Sequence, residues 1–159
     1  YIKFINKYKK VYTTIIEKET FVSKFKNKIP VEYKKFVQYL DTINEVKREN
    51  FDIVYFGSSL QYFVNHEELF LNIFKFDPKY IAISRTFFSL EIEDFYVLQN
   101  NIENNIFPYK MINFNKFLSL LDDNDYKLIY NLDQVTDHKH ENIDTLVCKD
   151  LIFKKTKNR

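Results

Sequence analysis

Two carboxylates, a lone glycine and a few hydroxyl, amide and cationic side chains stand just beyond the apolar runs of this chain. Glu17 follows VYTTII and Asp41 follows KKFVQYL. Gly57, Ser58, Ser59 and Gln61 follow FDIVYF, and Arg85 with Thr86 close the apolar part of KYIAISRTFF. In open parallel sheets ligands bind outside the carboxyl ends of the strands, so these residues would share one rim. Glu17 can accept both hydroxyls of a ribose diol, or can be an exposed charge ahead of the next helix. Asp41 suits an adenine amino group or, equally, a helix N-cap. Gly57 either lets the backbone approach a ligand or only tightens a strand-to-helix turn. Arg85 and Thr86 offer a grip on an anionic or hydroxylated substrate, or are ordinary loop residues. His66 can serve as a general base near the rim, or simply ends a helix at the surface.

Other chemistries are closed by composition. One glycine in 159 residues excludes, within this sequence, the glycine-rich loops that cradle phosphates, because several glycines at fixed spacing are needed for the backbone to reach a pyrophosphate. His138 and His140 are two apart but lack a third metal ligand nearby, so a solvated loop is expected and no metal. Cys148, the single cysteine, makes no intramolecular disulfide, sits in an apolar run as a core residue, and fits a reducing, cytoplasmic setting.

A net charge of +2 is far from the basic excess that drives phosphate neutralisation, so no nucleic-acid partner is expected. Residues 1–50 carry +6 and residues 51–159 carry −4, with the lysines scattered over helix faces. No apolar stretch reaches the length of a membrane span. The 45% apolar and 18% aromatic content supports one buried core, read as a single domain over residues 1–155 with a frayed tail at 156–159.

The elements that must position these residues follow from periodicity. Tyr1, Phe4, Ile5 and Tyr8 form a helical stripe; VYTTII reads as a strand and TFVSKFKNK as a helix that Pro30 stops. KKFVQYL gives a short strand, and Asp41 would cap a helix over TINEVKREN. FDIVYF is apolar almost throughout, as in a strand buried on both faces at a sheet centre. Leu69, Phe70, Ile73 and Phe74 mark a helix capped by Asn65, and KYIAISRTFF a further strand ending at Arg85 and Thr86. Residues 89–112 read as loop or short helix. Phe114, Phe117, Leu118 and Leu121 mark another helix, followed by the strand YKLIYNL and an antiparallel terminal strand over 145–155. Strand and helix alternate and a strand pair closes the chain. The expected class is α/β, a mostly parallel sheet with an antiparallel C-terminal pair and helices on both faces.

These residues together resemble the class I S-adenosylmethionine-dependent methyltransferases. FDIVYFGSSLQYF resembles that family's central strand and loop, in which Asp opens a strand followed by small residues, then Leu, a polar residue and an aromatic. YIAISRTFF, VLQ at 97–99, FPY at 107–109 and the closing DLIFKK are similar to methyltransferases encoded among bacterial surface-polysaccharide biosynthesis genes. The resemblance implies a Rossmann-like fold and methyl transfer from S-adenosyl-L-methionine to a small-molecule or saccharide acceptor. By it, Glu17 would hold the ribose, Leu40, Asp41 and Thr42 would border the adenine, Gly57, Ser58, Ser59 and Gln61 would line the methionine end, and Arg85 and Thr86 would face the acceptor. The chain departs from the narrower group at Ser84, where an acidic residue is usual, and near Lys149-Asp150, where glycine is common. The family's glycine-rich loop and the strand entering it would precede Tyr1, so the resemblance presents the chain as a fragment lacking its first strand. An alternative expectation is a non-catalytic Rossmann-like interaction module that has lost cofactor binding.

Overall fold

A computed structural model of the chain describes residues 11–47, 50–91, 93–102, 105–135 and 146–156. The expected helix over residues 1–10, the His138/His140 loop and the tail beyond residue 156 lie outside them. The chain divides into two compact units, residues 1–48 and 49–159, each described by itself.

In the first unit, strand β1 (Thr13–Ile16) pairs in parallel with β2 (Val37–Leu40), and helix α1 (Glu19–Lys26) connects them. Val37 and Leu40 are its buried apolar residues. The helix expected over TINEVKREN is instead a single 3-10 turn, Ile43–Glu45, and its cap is Thr42, whose Oγ1 accepts the Asn44 N–H at 3.3 Å. The segment offers only Ile43 and Val46 as an apolar stripe. With so little to bury, a longer helix would have no tertiary support.

The second unit holds a six-stranded mixed sheet ordered β5-β6-β4-β8-β7, with β3 also paired to β4. The strands are β3 (Ile53–Gly57), β4 (Tyr80–Ser89), β5 (Phe95–Ile102), β6 (Asn105–Asn113), β7 (Tyr126–Gln134) and β8 (Leu146–Lys155). β3 and β6 run parallel to β4, whereas β8 is antiparallel to both β4 and β7. Helices α2 (His66–Phe74) and α3 (Phe114–Asp122) start as the sequence indicates: Asn65 accepts the Glu68 N–H and Asn113 accepts the Lys116 N–H.

Both helices cover the same face of this sheet. Phe70 of α2 packs against Phe56 and against Phe117 of α3, and Phe117 reaches Phe88 and Phe153. Phe70, Phe88, Phe117 and Phe153 are all buried, each contributing about 1.5–3 kcal/mol. No helix of the unit packs on the opposite face among the described residues, where Ile53 and Tyr55 are exposed while Tyr109 and Cys148 are buried. Helices on both faces were the expectation for the chain, and the two described helices of this unit share one of them. The central position belongs to β4, which pairs with β3, β6 and β8, and not to β3. β3 has β4 as its sole strand partner among the described residues, so its apolar run is only half covered.

Residues 89–112, expected as loop or short helix, form the antiparallel β5–β6 hairpin. Pro108 is tolerated inside β6 because pairing with β4 begins only at Ile112, so the missing N–H is not needed on that side. β4 likewise runs past Arg85 and Thr86 to Ser89, with a bulge between Ile83 and Thr86.

Candidate functional site

The carboxyl ends of the parallel strands carry the residues singled out from the sequence, in one set per unit. In the first unit the Glu17 N–H donates to the Leu40 carbonyl at 3.0 Å, extending the ladder one step beyond β1. Glu17 is thereby held beside the end of β2. Its carboxylate and that of Asp41 are exposed and have no hydrogen bond or ion pair among the described residues. Thr42 is half-buried and Leu40 is buried, so these two shape the rim without extending from it.

In the second unit Gly57 is in register with Ser84, and the Ser58 N–H donates to the Ser84 carbonyl at 2.9 Å. The left-handed residue of this turn is Ser58, at φ 54°, not Gly57. Gly57 makes room for a side chain instead. The Tyr55 side chain folds back across it to bring its Oη to 2.7 Å from Ser84 Oγ, and a Cβ on Gly57 would lie 2.9 Å from that Oη. Ser59 is half-buried and its carbonyl accepts the Tyr62 N–H at 3.1 Å. Gln61 is buried: its Nε2 donates to the Ser58 carbonyl at 2.8 Å, while its Oε1 has no partner among the described residues.

His66 is buried at the start of α2. Its Nε2 lies 2.9 Å from the Leu60 carbonyl, which can only accept, so Nε2 carries the proton. Burial lowers its pKa, outweighing the Leu60 hydrogen bond, and keeps the ring neutral. The remaining lone pair, on Nδ1, is buried and has no partner among the described residues. A surface helix end is thus excluded, and a role as base would have to pass through an atom that solvent does not reach. The 62–64 segment is tied to the hairpin: Tyr62 Oη donates to Gln99 Oε1 at 3.0 Å, and Lys110 Nζ to the Val64 carbonyl at 3.3 Å. Lys110 also pairs with Asp94 at 2.8 Å. Burial opposes ionisation of Asp94, but the Asn113 N–H and the Lys110 ammonium outweigh it and hold its pKa below the usual carboxylate range.

Arg85 and Thr86 part company at the bulge. Thr86 is fully buried, in register with the buried Lys149 on the helix-covered face, so its side chain serves the core. Arg85 is exposed at φ 50°, and its backbone N–H donates to Asp150 Oδ1 at 2.8 Å. The Gln134 side-chain amide donates to Asp150 Oδ2. Nearby, Tyr109 Oη is buried, and burial raises its pKa, outweighing the contact with the Phe87 backbone, so it stays a protonated phenol. Cys148 is buried, and burial raises its thiol pKa, with Asp150 adding to the effect.

Tyr55, Tyr109, Gln134 and Asp150 were missed by the sequence reading. Tyr55 alone left a signal there, two residues before the only glycine. Clefts of about 410 Å³ beside β2 and about 440 Å³ between α3 and β7 border neither Gly57–Gln61 nor Arg85. The cleft beside β2 is lined in part by Leu40, at the carboxyl end of that strand.

Parallel strands with loops gathered at their carboxyl ends, followed by an antiparallel closing pair, recur in solved structures. A Listeria monocytogenes protein assigned as an S-adenosylmethionine-dependent methyltransferase is 9% identical, matches 92% of this chain and 81% of its own, and superposes with a TM-score of 0.65. The chain has the class I methyltransferase fold. The Burkholderia thailandensis 1,6-didemethyltoxoflavin-N1-methyltransferase, solved with its substrate and S-adenosylhomocysteine, is 14% identical over 98% of this chain and 65% of that one, at a TM-score of 0.57. The [4+2]-cyclase SpnF, 9% identical over 96% of this chain and 70% of its own, superposes at 0.64, so the methyltransferase fold also carries other chemistry. No protein-family model matches the sequence, and no curated protein matches it. Among the described residues no helix is long and apolar enough to cross a membrane.

Proposed function

We propose that this chain transfers a methyl group from S-adenosyl-L-methionine to an oxygen or nitrogen of a small-molecule acceptor, of saccharide type. The observation that carries the reading is the methyltransferase fold, combined with exposed polar groups at the carboxyl ends of its parallel strands. In this reading Glu17 accepts the ribose hydroxyls, Leu40, Asp41 and Thr42 border the adenine, and the Gly57–Ser59 turn lies along the methionine end. Gln61 acts by pinning that turn through the Ser58 carbonyl. Arg85 faces the acceptor.

Methyl transfer depends chiefly on in-line positioning of nucleophile and methyl group, with a base assisting when the nucleophile is a hydroxyl. The neutral His66 has a free lone pair for that task only if the 60–66 segment opens to expose Nδ1. Calorimetric titration with S-adenosylhomocysteine tests the reading. Saturable binding is expected, and Glu17→Ala should weaken it by about 1.5–3 kcal/mol, as for hydrogen bonds to a charged group. Binding unaltered by that substitution would remove Glu17 from the site, and no binding by the parent chain would remove the methyl donor.

A further inference from the structure

We infer that the acceptor carries an oxyanion, a carboxylate or a phosphate, and that the Arg85 guanidinium grips it. This inference rests on the methyl-transfer reading and specifies its substrate class.

The first observation is conformational. Five described residues other than glycine have left-handed φ: Asn50, Ser58, Asp77, Arg85 and Asp125. Asn50, Asp77 and Asp125 are of kinds that accept this region with little strain, Ser58 is short, and all four lie outside strands or just past a strand end. Arg85 alone is long, and it lies in the middle of a ten-residue strand. At a bulge position with positive φ the usual residue is glycine, which adopts the conformation freely. An arginine there keeps a strained backbone that a simpler residue would relieve, and such strain persists where the side chain has work at a site.

The second observation is how the residue is fixed. Ile83 and Thr86, on either side of the bulge, are buried at 2% and 0% exposure. The Arg85 N–H is held by Asp150 Oδ1, and the other Asp150 oxygen takes the Gln134 amide. Each oxygen of the nearby carboxylate thus accepts from an amide, and neither is paired with the guanidinium among the described residues. Among the described residues the guanidinium has no hydrogen bond and no ion pair, and it stands exposed just beyond the register pair of Gly57 and Ser84. A planar fork of N–H donors, anchored through its backbone and left unpaired, suits bidentate capture of an oxyanion. Asp150 is then a positioning residue.

Inorganic phosphate is the probe. The Arg85 Nε–H resonance of the 15N-labelled chain is followed during titration at constant ionic strength, with chloride as the reference anion. Phosphate is expected to produce a saturable shift that chloride does not. By a second probe, such as a backbone resonance near the bulge, Arg85→Gly should weaken phosphate binding about ten-fold or more. The same variant should resist urea at least as well as the parent, because glycine relieves the bulge. Arg85→Lys keeps the charge without the fork, and should bind between the two; it reads the grip even if the glycine variant folds poorly. Equal shifts from phosphate and chloride, or unaltered phosphate affinity in both variants, would overturn the inference. S-adenosylhomocysteine titration of the same samples separates the two readings. Phosphate binding without cofactor binding ends methyl transfer and leaves the grip, and cofactor binding without phosphate binding ends the grip alone.

Discussion

Tyr55 Oη lies 2.7 Å from Ser84 Oγ, and the ring that bears it lies across Gly57, so a tyrosine two residues upstream dictates the single glycine of the chain. Gly57→Ala would push a methyl against the far end of that side chain, which can swing away. The expected loss is small, about 0.5–1.5 kcal/mol for the hydroxyl contact, and Tyr55→Phe should cost a similar amount. Urea unfolding of the two single variants and the double variant checks this: their effects should not add, because both remove the same contact.

His66 ties folding to pH. Its folded-state pKa lies below the ordinary 6.5, so below that value the unfolded chain binds a proton that the folded chain resists. Stability should be complete above about pH 7. It should decline as the solution is acidified through 6.5 toward the folded pKa. In His66→Gln, whose amide can still donate to the Leu60 carbonyl, that part of the slope should vanish. Unfolding free energies measured between pH 8 and pH 5 provide the comparison.

Asp150 secures the bulge with both oxygens. Asp150→Ala leaves the Arg85 N–H and the Gln134 amide without their acceptor and should cost about 1–3 kcal/mol. Asp150→Asn, which retains one acceptor oxygen, should cost less. Chemical denaturation ranks the two.

Lys149 is a buried ammonium that pairs with the largely exposed Asp133 and lies 4.8 Å from the centre of the Phe114 ring. Removing only its partner, in Asp133→Ala, leaves the buried ammonium without its counter-charge and should cost about 1–3 kcal/mol, with Asn131 and the Phe114 ring offsetting the rest. Lys149→Met removes the buried charge itself and should be neutral or stabilising. Thermal unfolding of both variants would detect the opposite ordering, which would assign Lys149 a larger electrostatic role.

Phe117 links the two helices to the sheet through Phe70, Phe88 and Phe153. Phe117→Ala should cost about 3–5 kcal/mol and lower the urea midpoint sharply, more than any rim substitution.

Much of this was legible because caps and stripes are local. Asn65 announces its helix, and Phe70, Phe117 and Leu121 mark the faces that the structure buries. What failed depended on distant neighbours. The apolar run of β3 reads as central, yet burial on both faces requires a covering layer that Ile53 and Tyr55 lack among the described residues. The β5–β6 hairpin was hidden by its asparagines and by Pro108, which is harmless only where β4 is not yet paired. Arg85 looked like the end of a strand because polarity there normally marks an end, whereas a bulge let the strand continue. Position after a strand singled out Glu17 and Gly57, but could not reveal that Thr86, Gln61 and His66 turn inward.

Asn113 has a consequence of its own. It is the last residue of β6, its N–H is held by Asp94, and its side chain caps α3, so hairpin and helix meet at a single pivot with no slack between them. Any guest that levers the hairpin tip will tug on the first turn of that helix, and a spectroscopic label there would report occupancy from a distance.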